Sequence, residues 1–119
     1  MRRKDELGQW GEKCAADHLA AQGFDLLDRN WHCRDGEIDL VARDGDCLVI
    51  VEVKTRRTGS AGHPLEAVTA KKLATLRRLA ALWLRGHPVA AATIRIDVVG
   101  VLCAGEGRAA IEHVRNVSL

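Results

Sequence analysis

The segment "GEIDLVARDGDCLVIVEVKTR", Gly36 to Arg56, constrains this chain more than any other stretch. It reads as two strands, Glu37 to Arg43 and Cys47 to Thr55, around "RDGD", whose Asp-Gly and Gly-Asp pairs are hairpin-turn chemistry. The second strand, "LVIVEVK", is almost continuously apolar, the pattern of a central strand covered on both faces. Yet the pair carries Glu37, Asp39, Glu52 and Lys54. Charges in such a place are costly unless they are paired or hold a metal.

Side chains alternate between faces along a strand, so Glu37 and Asp39 share one face of the first strand. Glu52 and Lys54 share a face of the second, with Val49, Val51 and Val53 pointing away. With Asp44-Gly45 as the loop, Asp39 lies opposite Ile50 and diagonal to Glu52; with Gly45-Asp46, it lies directly opposite Glu52. Either two-residue loop gathers the four charges on one side of the sheet, with Cβ atoms roughly 5–7 Å apart. A three-residue loop would scatter them. Two carboxylates at that separation repel in a half-buried site, and a divalent cation relieves the repulsion. Mg²⁺ is held through one or two carboxylates, waters and substrate phosphate oxygens. A lysine beside it can orient or deprotonate an attacking water, or offset charge building on a phosphate. A Lys54–carboxylate ion pair with no catalytic role accounts for one acid and leaves the others unpaired. The cluster of Glu37, Asp39, Glu52 and Lys54 therefore predicts metal-assisted phosphodiester hydrolysis, with carboxylates holding the metal and Lys54 serving the reaction.

Around this hairpin the chain predicts a helix from about Lys4 to Gln22, ended by Gly23. Leu7, Trp10, Cys14, His18 and Ala21 fall on one face of it. Gly8 and Gly11 lower helix propensity and point to close packing, and Glu12 lies at the border of the apolar face. A short strand follows over Phe24 to Asn30, and Arg56 to Gly62 reads as a loop. Pro64 suits a first helical turn, and that helix is expected to run to Arg85. Leu65, Val68, Leu76, Leu79 and Trp83 form its buried stripe, with Lys72 in the middle of it. Lys72 either snorkels out or faces the acidic cluster and any phosphate bound there. Thr93 to Leu102 is a β-branched strand, and Ile111 to Val114 a short edge strand. The order predicts an α/β fold, a mixed sheet flanked by helices, in one domain over 1–119.

Charge sharpens the functional reading. The segment from Lys54 to Arg85 holds eight basic residues against Glu66 alone, a charge of +7, while the rest of the chain carries −5. Arg56, Arg57, Lys71, Lys72, Arg77 and Arg78 are candidate phosphate contacts, and a polyanion such as DNA is the expected partner. A nucleic-acid-binding adaptor with a weak or silent site is the competing expectation. RNA is the lesser one, because Phe24 is the sole phenylalanine and tyrosine is absent, leaving little platform for single-stranded bases. Four dispersed cysteines without a CxxC pair suggest free, mostly buried thiols in a reducing compartment rather than zinc, even though Cys14 and His18 stand four apart. No apolar run reaches the ~18 residues of a membrane span. "MRRKDELGQW" has no apolar core behind its basic residues, so a cytoplasmic location without a secretory signal is expected.

Asp39 followed by Glu52-Val53-Lys54 resembles the PD-(D/E)xK signature of restriction-endonuclease-like nucleases. "GEKCAADHL", "GEIDLVARDG", "VIVEVKTR", "AVTAKK" and "IRIDVVG" together resemble the YraN-like family of uncharacterised bacterial proteins, which is similar to archaeal Holliday-junction resolvases. The resemblance spans nearly the whole chain, in order. It implies an α-β-β-β-α-β core with Mg²⁺ or Mn²⁺ bound by Asp39, Glu52 and the Val53 carbonyl, and Lys54 as the catalytic lysine. Glu12 would match the acid that resolvases add from a helix, and Lys72 the lysine early in the second helix. Ile38 stands where the signature has proline, a residue that binds no metal. Branched or single-stranded DNA and a homodimer are further implications of the likeness.

Overall fold

Gly45 decides the register of the central hairpin. It adopts φ 62° as the first residue of a Gly45-Asp46 loop, the position where type II′ hairpins place glycine. The computed structural model describes residues 5–58 and 62–118. Helix α1 (Glu6–Ala21) precedes three antiparallel strands, β1 (Asp25–Cys33), β2 (Gly36–Asp44) and β3 (Cys47–Arg57). A 3₁₀ turn over Pro64–Ala67, helix α2 (Ala70–Arg85) and strands β4 (Thr93–Cys103) and β5 (Ala109–Val114) complete the order. The five strands lie side by side in sequence order, with β3 and β4 parallel. This is the mixed α/β sheet flanked by helices that the sequence pattern implies. Among the described residues no helix is long and apolar enough to cross a membrane.

Each helix covers one face of the sheet. Leu73, Leu76, Leu79 and Trp83 of α2 pack on Leu48, Ile50, Ile96 and Val98. Ala15, Ala16 and Leu19 of α1 pack on Val49, Val51, Val99 and Val101. The alternating parity of β3 and β4 thus sends even-numbered residues towards α2 and odd-numbered ones towards α1.

Several boundaries differ from those read in the sequence. Lys4 and residues 59–61 lie outside the described residues. The first helix is capped by Asp5, whose carboxylate accepts from the Gly8 amide at 2.7 Å. Its buried face is Gly11, Glu12, Ala15, Ala16 and Leu19, whereas Leu7, Trp10, Cys14 and His18 are half-buried and Ala21 is exposed. Small residues won over large ones here because the helix approaches the sheet closely: a Cβ on Gly11 would lie 1.9 Å from Thr55 Oγ1. β1 runs on to Cys33, and Arg56 and Arg57 continue β3 instead of opening a loop. The expected single helix from Pro64 is broken: Val68 leaves helical geometry and Thr69 caps α2 by accepting from the Lys72 amide. All four cysteines are free, and all are half-buried rather than buried.

Substituting Gly11→Ala is expected to destabilise the protein by about 1–3 kcal/mol, because overpacking against Thr55 outweighs the ~1 kcal/mol gain in helix propensity. The midpoint of urea unfolding measures it, and a midpoint at or above that of the parent would show that α1 can lift from Thr55 without cost.

Candidate functional site

The pairing of β2 with β3 runs from Asp44↔Cys47 to Leu40↔Val51. Extended by one residue, this register sets Asp39 opposite Glu52, the arrangement that a Gly45-Asp46 loop predicts. The backbone ladder stops there, and Asp39 takes over: its Oδ2 accepts the Val53 amide at 2.9 Å. β2 changes course at this point. Ile38 packs in the α2-side core and Leu40, two residues on, in the α1-side core, which strict alternation forbids. Across from this kink β1 holds Asn30 at φ 49°, between the pairs Arg29↔Leu40 and Trp31↔Ile38. Such irregularities re-aim side chains beside functional sites. Here it turns the buried Asp39 carboxylate towards Glu52.

Glu52 lies in the α2-facing set and meets Lys72, whose Nζ is 3.1 Å from Glu52 Oε2. Burial, the Asp39 charge and the hydrogen bond between the two carboxyls push the Glu52 pKa up to about 7, against the opposing pull of Lys72. Two hydrogen-bonded carboxyls set side by side are a donor set suited to a hard cation with oxygen ligands. Val53 belongs to the same edge, since a strand residue directs its N–H and C=O to the same side and this N–H meets Asp39. Asp39, Glu52 and the Val53 carbonyl therefore fit Mg²⁺ or Mn²⁺. Among the described residues no three His, Cys, Asp or Glu side chains cluster in a way that could hold a metal ion by themselves.

The remaining predicted residues are placed as follows. Lys54 is exposed on the same face, two residues beyond Glu52, and lines a cleft. Glu12 is buried on α1 next to Gly11, not on the surface border that its sequence position suggests. The Glu37 carboxylate, next to Ile38 at the start of the kink, has a buried oxygen. Arg57, Lys71, Arg77 and Arg78 are exposed. Arg77 stands beside Ile94 and Ile96, level with the Leu48 end of β3 and away from Lys54. Arg56 donates to the carbonyls of Gly62 at 2.6 Å and His63 at 3.3 Å, which ties that segment to β3.

Two clusters escaped the sequence reading. Asp97 is fully buried on the α1 side and accepts from Arg95 Nε at 3.0 Å, His113 Nε2 at 2.8 Å and the Asn116 amide at 3.0 Å. Burial alone would raise its pKa, yet these hydrogen bonds from His113, Arg95 and Asn116 lower it. "RID" in a β-branched strand was the available signal, a charge pair two apart on one face. The second cluster is the hydrogen-bonded contact of the His63 ring with the Glu112 carboxylate, which joins residues 49 apart in sequence and left no local pattern to read.

Residues 11–101 match the profile of "Uncharacterised protein family UPF0102". A UPF0102 protein of Kineococcus radiotolerans is 56% identical over 119 residues, covering 99% of this chain and 98% of its own. Relatives in Beutenbergia cavernae (56% over 117 residues, 98% of this chain and 99% of that one) and Arthrobacter sp. strain FB24 (54% over 117, the same shares) are similar throughout.

The raised Glu52 pKa makes a prediction with a definite sign. Glu52 binds its proton more tightly folded than unfolded, so as pH rises from 4.5 to about 7 the unfolded chain ionises first and folding stability falls, levelling off above 7. In EDTA, Glu52→Gln is expected to gain stability over the parent progressively across that window. Urea midpoints at several pH values measure the difference, and a pH-independent gap would refute the assignment.

Proposed function

We propose that this chain, which belongs to the uncharacterised protein family UPF0102, is a metal-dependent endonuclease acting on DNA. The observation that carries the reading is the Asp39–Glu52 pair, hydrogen-bonded across the end of the β2–β3 ladder with Lys72 against it and Lys54 two residues on. Asp39, Glu52 and the Val53 carbonyl would hold Mg²⁺ or Mn²⁺, which when bound polarises a phosphodiester and lowers the pKa of water.

The chain's own groups do the rest. The Val53 amide fixes the Asp39 carboxylate, so one ligand is oriented before any substrate arrives. Lys72 Nζ offsets the charge of Glu52 and favours its ionised form, which is the form a cation needs. Lys54 Nζ, exposed beside the pair, either takes a proton from the attacking water when neutral or, as an ammonium, stabilises charge on the phosphate. Lys71 and Arg57, exposed near these groups in sequence, supply sequence-independent attraction for the backbone of DNA. The likeness of the D…ExK spacing to restriction-endonuclease-like nucleases, and of the whole chain to resolvase-related proteins, supports the same reading and favours branched or single-stranded substrates.

A panel of linear, nicked, flapped and four-way DNA is the direct test. Cleavage is expected with Mg²⁺ or Mn²⁺ and not in EDTA. Asp39→Ala and Glu52→Ala should reduce it to background, and Lys54→Ala by about 10²–10⁴-fold. If Glu52→Ala cuts as well as the parent, the assignment fails; salt-sensitive binding that ignores metal, with no cleavage at all, would make the chain a DNA-binding adaptor.

A further inference from the structure

A cleft of ≈ 330 Å³ opens beside Lys54 on the α2-facing side of the sheet. Its floor comes from the strands: Gly100 and Leu102 of β4, with Ala110 and Glu112 of β5. Glycine is required at position 100, because a Cβ there would lie 2.2 Å from Pro64 Cγ. Pro64 and His63 therefore sit down on the sheet and form the opposite wall. Arg56 ties that wall in place through the Gly62 and His63 carbonyls, and His63 pairs with Glu112 across the cleft. The walls are thus set before any ligand binds.

The chemistry of the lining is mixed in an informative way. Pro64, Leu102 and Ala110 offer apolar surface, and Leu102 is one of two large hydrophobic residues exposed in the described chain. The His63 ring and the Arg56 guanidinium are planar groups of the kind on which bases stack. Glu112 is an acceptor for an amino group, and Lys54 and Arg56 bring positive charge. The volume is near the lower end for small-molecule sites, about 300–1,000 Å³, which suits a single nucleotide and not a helix or duplex. Lys54 belongs at once to this cleft and to the acidic site, and Glu52 is two residues away, about 7 Å along the strand.

We propose that this cleft receives one unpaired nucleobase of the strand whose phosphate lies at Asp39, Glu52 and Lys54. The inference rests on the nuclease reading for the position of that phosphate, and it names the substrate class: DNA with an unstacked nucleotide at the cut, as at branches and single-stranded junctions. A base inside a regular duplex must first be unstacked at a cost of a few kcal/mol, so paired DNA is the poorer substrate.

The test separates the base from the phosphate and does not need cleavage. The ¹⁵N-labelled chain in EDTA is titrated with dCMP and, separately, with 2-deoxyribose 5-phosphate, following backbone amide shifts. Shifts at His63, Gly100, Leu102 and Glu112 with dCMP, at an affinity at least about fivefold above that of the baseless sugar phosphate, are expected. Ala110→Leu, which fills the floor, should lower dCMP affinity at least as much without changing that for the sugar phosphate. Glu112→Gln, at an exposed position, repeats the comparison if the filled variant does not fold. Equal affinities for the two probes, or shifts confined to other parts of the sheet, would overturn the proposal. Base-dependent binding in a protein that cuts nothing would sustain the cleft and sink the nuclease reading, whereas cleavage without base-dependent binding would do the reverse.

Discussion

The hydrogen bond from the Val53 amide to the Asp39 carboxylate is the contact on which the arrangement of this molecule depends. It lies where the β2–β3 ladder gives out, and it replaces a backbone pair by a side chain. A carboxylate that caps a strand in this way has a fixed direction, and the direction here is towards Glu52. The Gly45-Asp46 loop sets the register that makes it possible. Shifting the pairing by one residue would exchange the faces of β2 and leave Glu52 without its acidic neighbour.

The close packing of α1 serves the same end. Gly11 allows the helix to rest on Thr55, the residue after Lys54, so the far end of β3 is braced from behind. On the other side Gly100 allows Pro64 to rest on β4 opposite Lys54. Lys54 is therefore held between two glycine-permitted contacts on adjacent strands. Residues on strands braced in this way are placed more accurately than residues on loops.

What could be read from the sequence followed from short-range regularities. The period of two in β2 and β3 gave the hairpin, and its two-residue loop gave the pairing of Asp39 with Glu52. The helical stripe through Leu76, Leu79 and Trp83 placed Lys72 towards the sheet, and its ammonium does reach Glu52. The failures have physical causes too. The buried face of α1 was misread because small residues, not large ones, make the closest contact. The break at Val68 was missed because apolar spacing continues through a 3₁₀ turn almost as through an α-helix. Arg56, His63 and Glu112 meet only through the folded sheet, so no spacing in the chain announces the cleft.

The two faces of the sheet show how differently one fold can treat a buried acid. On the α1 side Asp97 is fully buried and is met by guanidinium, imidazole and backbone donors, which hold its proton affinity below the ordinary value. That is what stability alone asks of a buried carboxylate. On the α2 side Glu52 is met by a lysine and a second carboxyl, and its proton affinity rises to about 7. The chain has the donors to neutralise an acid and uses them on Asp97. At Glu52 it brings up another acid beside Lys72, an arrangement that lowers stability as the pair ionises and that a divalent cation would relieve. Local conflict of this kind, a perturbed acid set beside a second acid, is what makes Asp39 and Glu52 the candidate site of this fold.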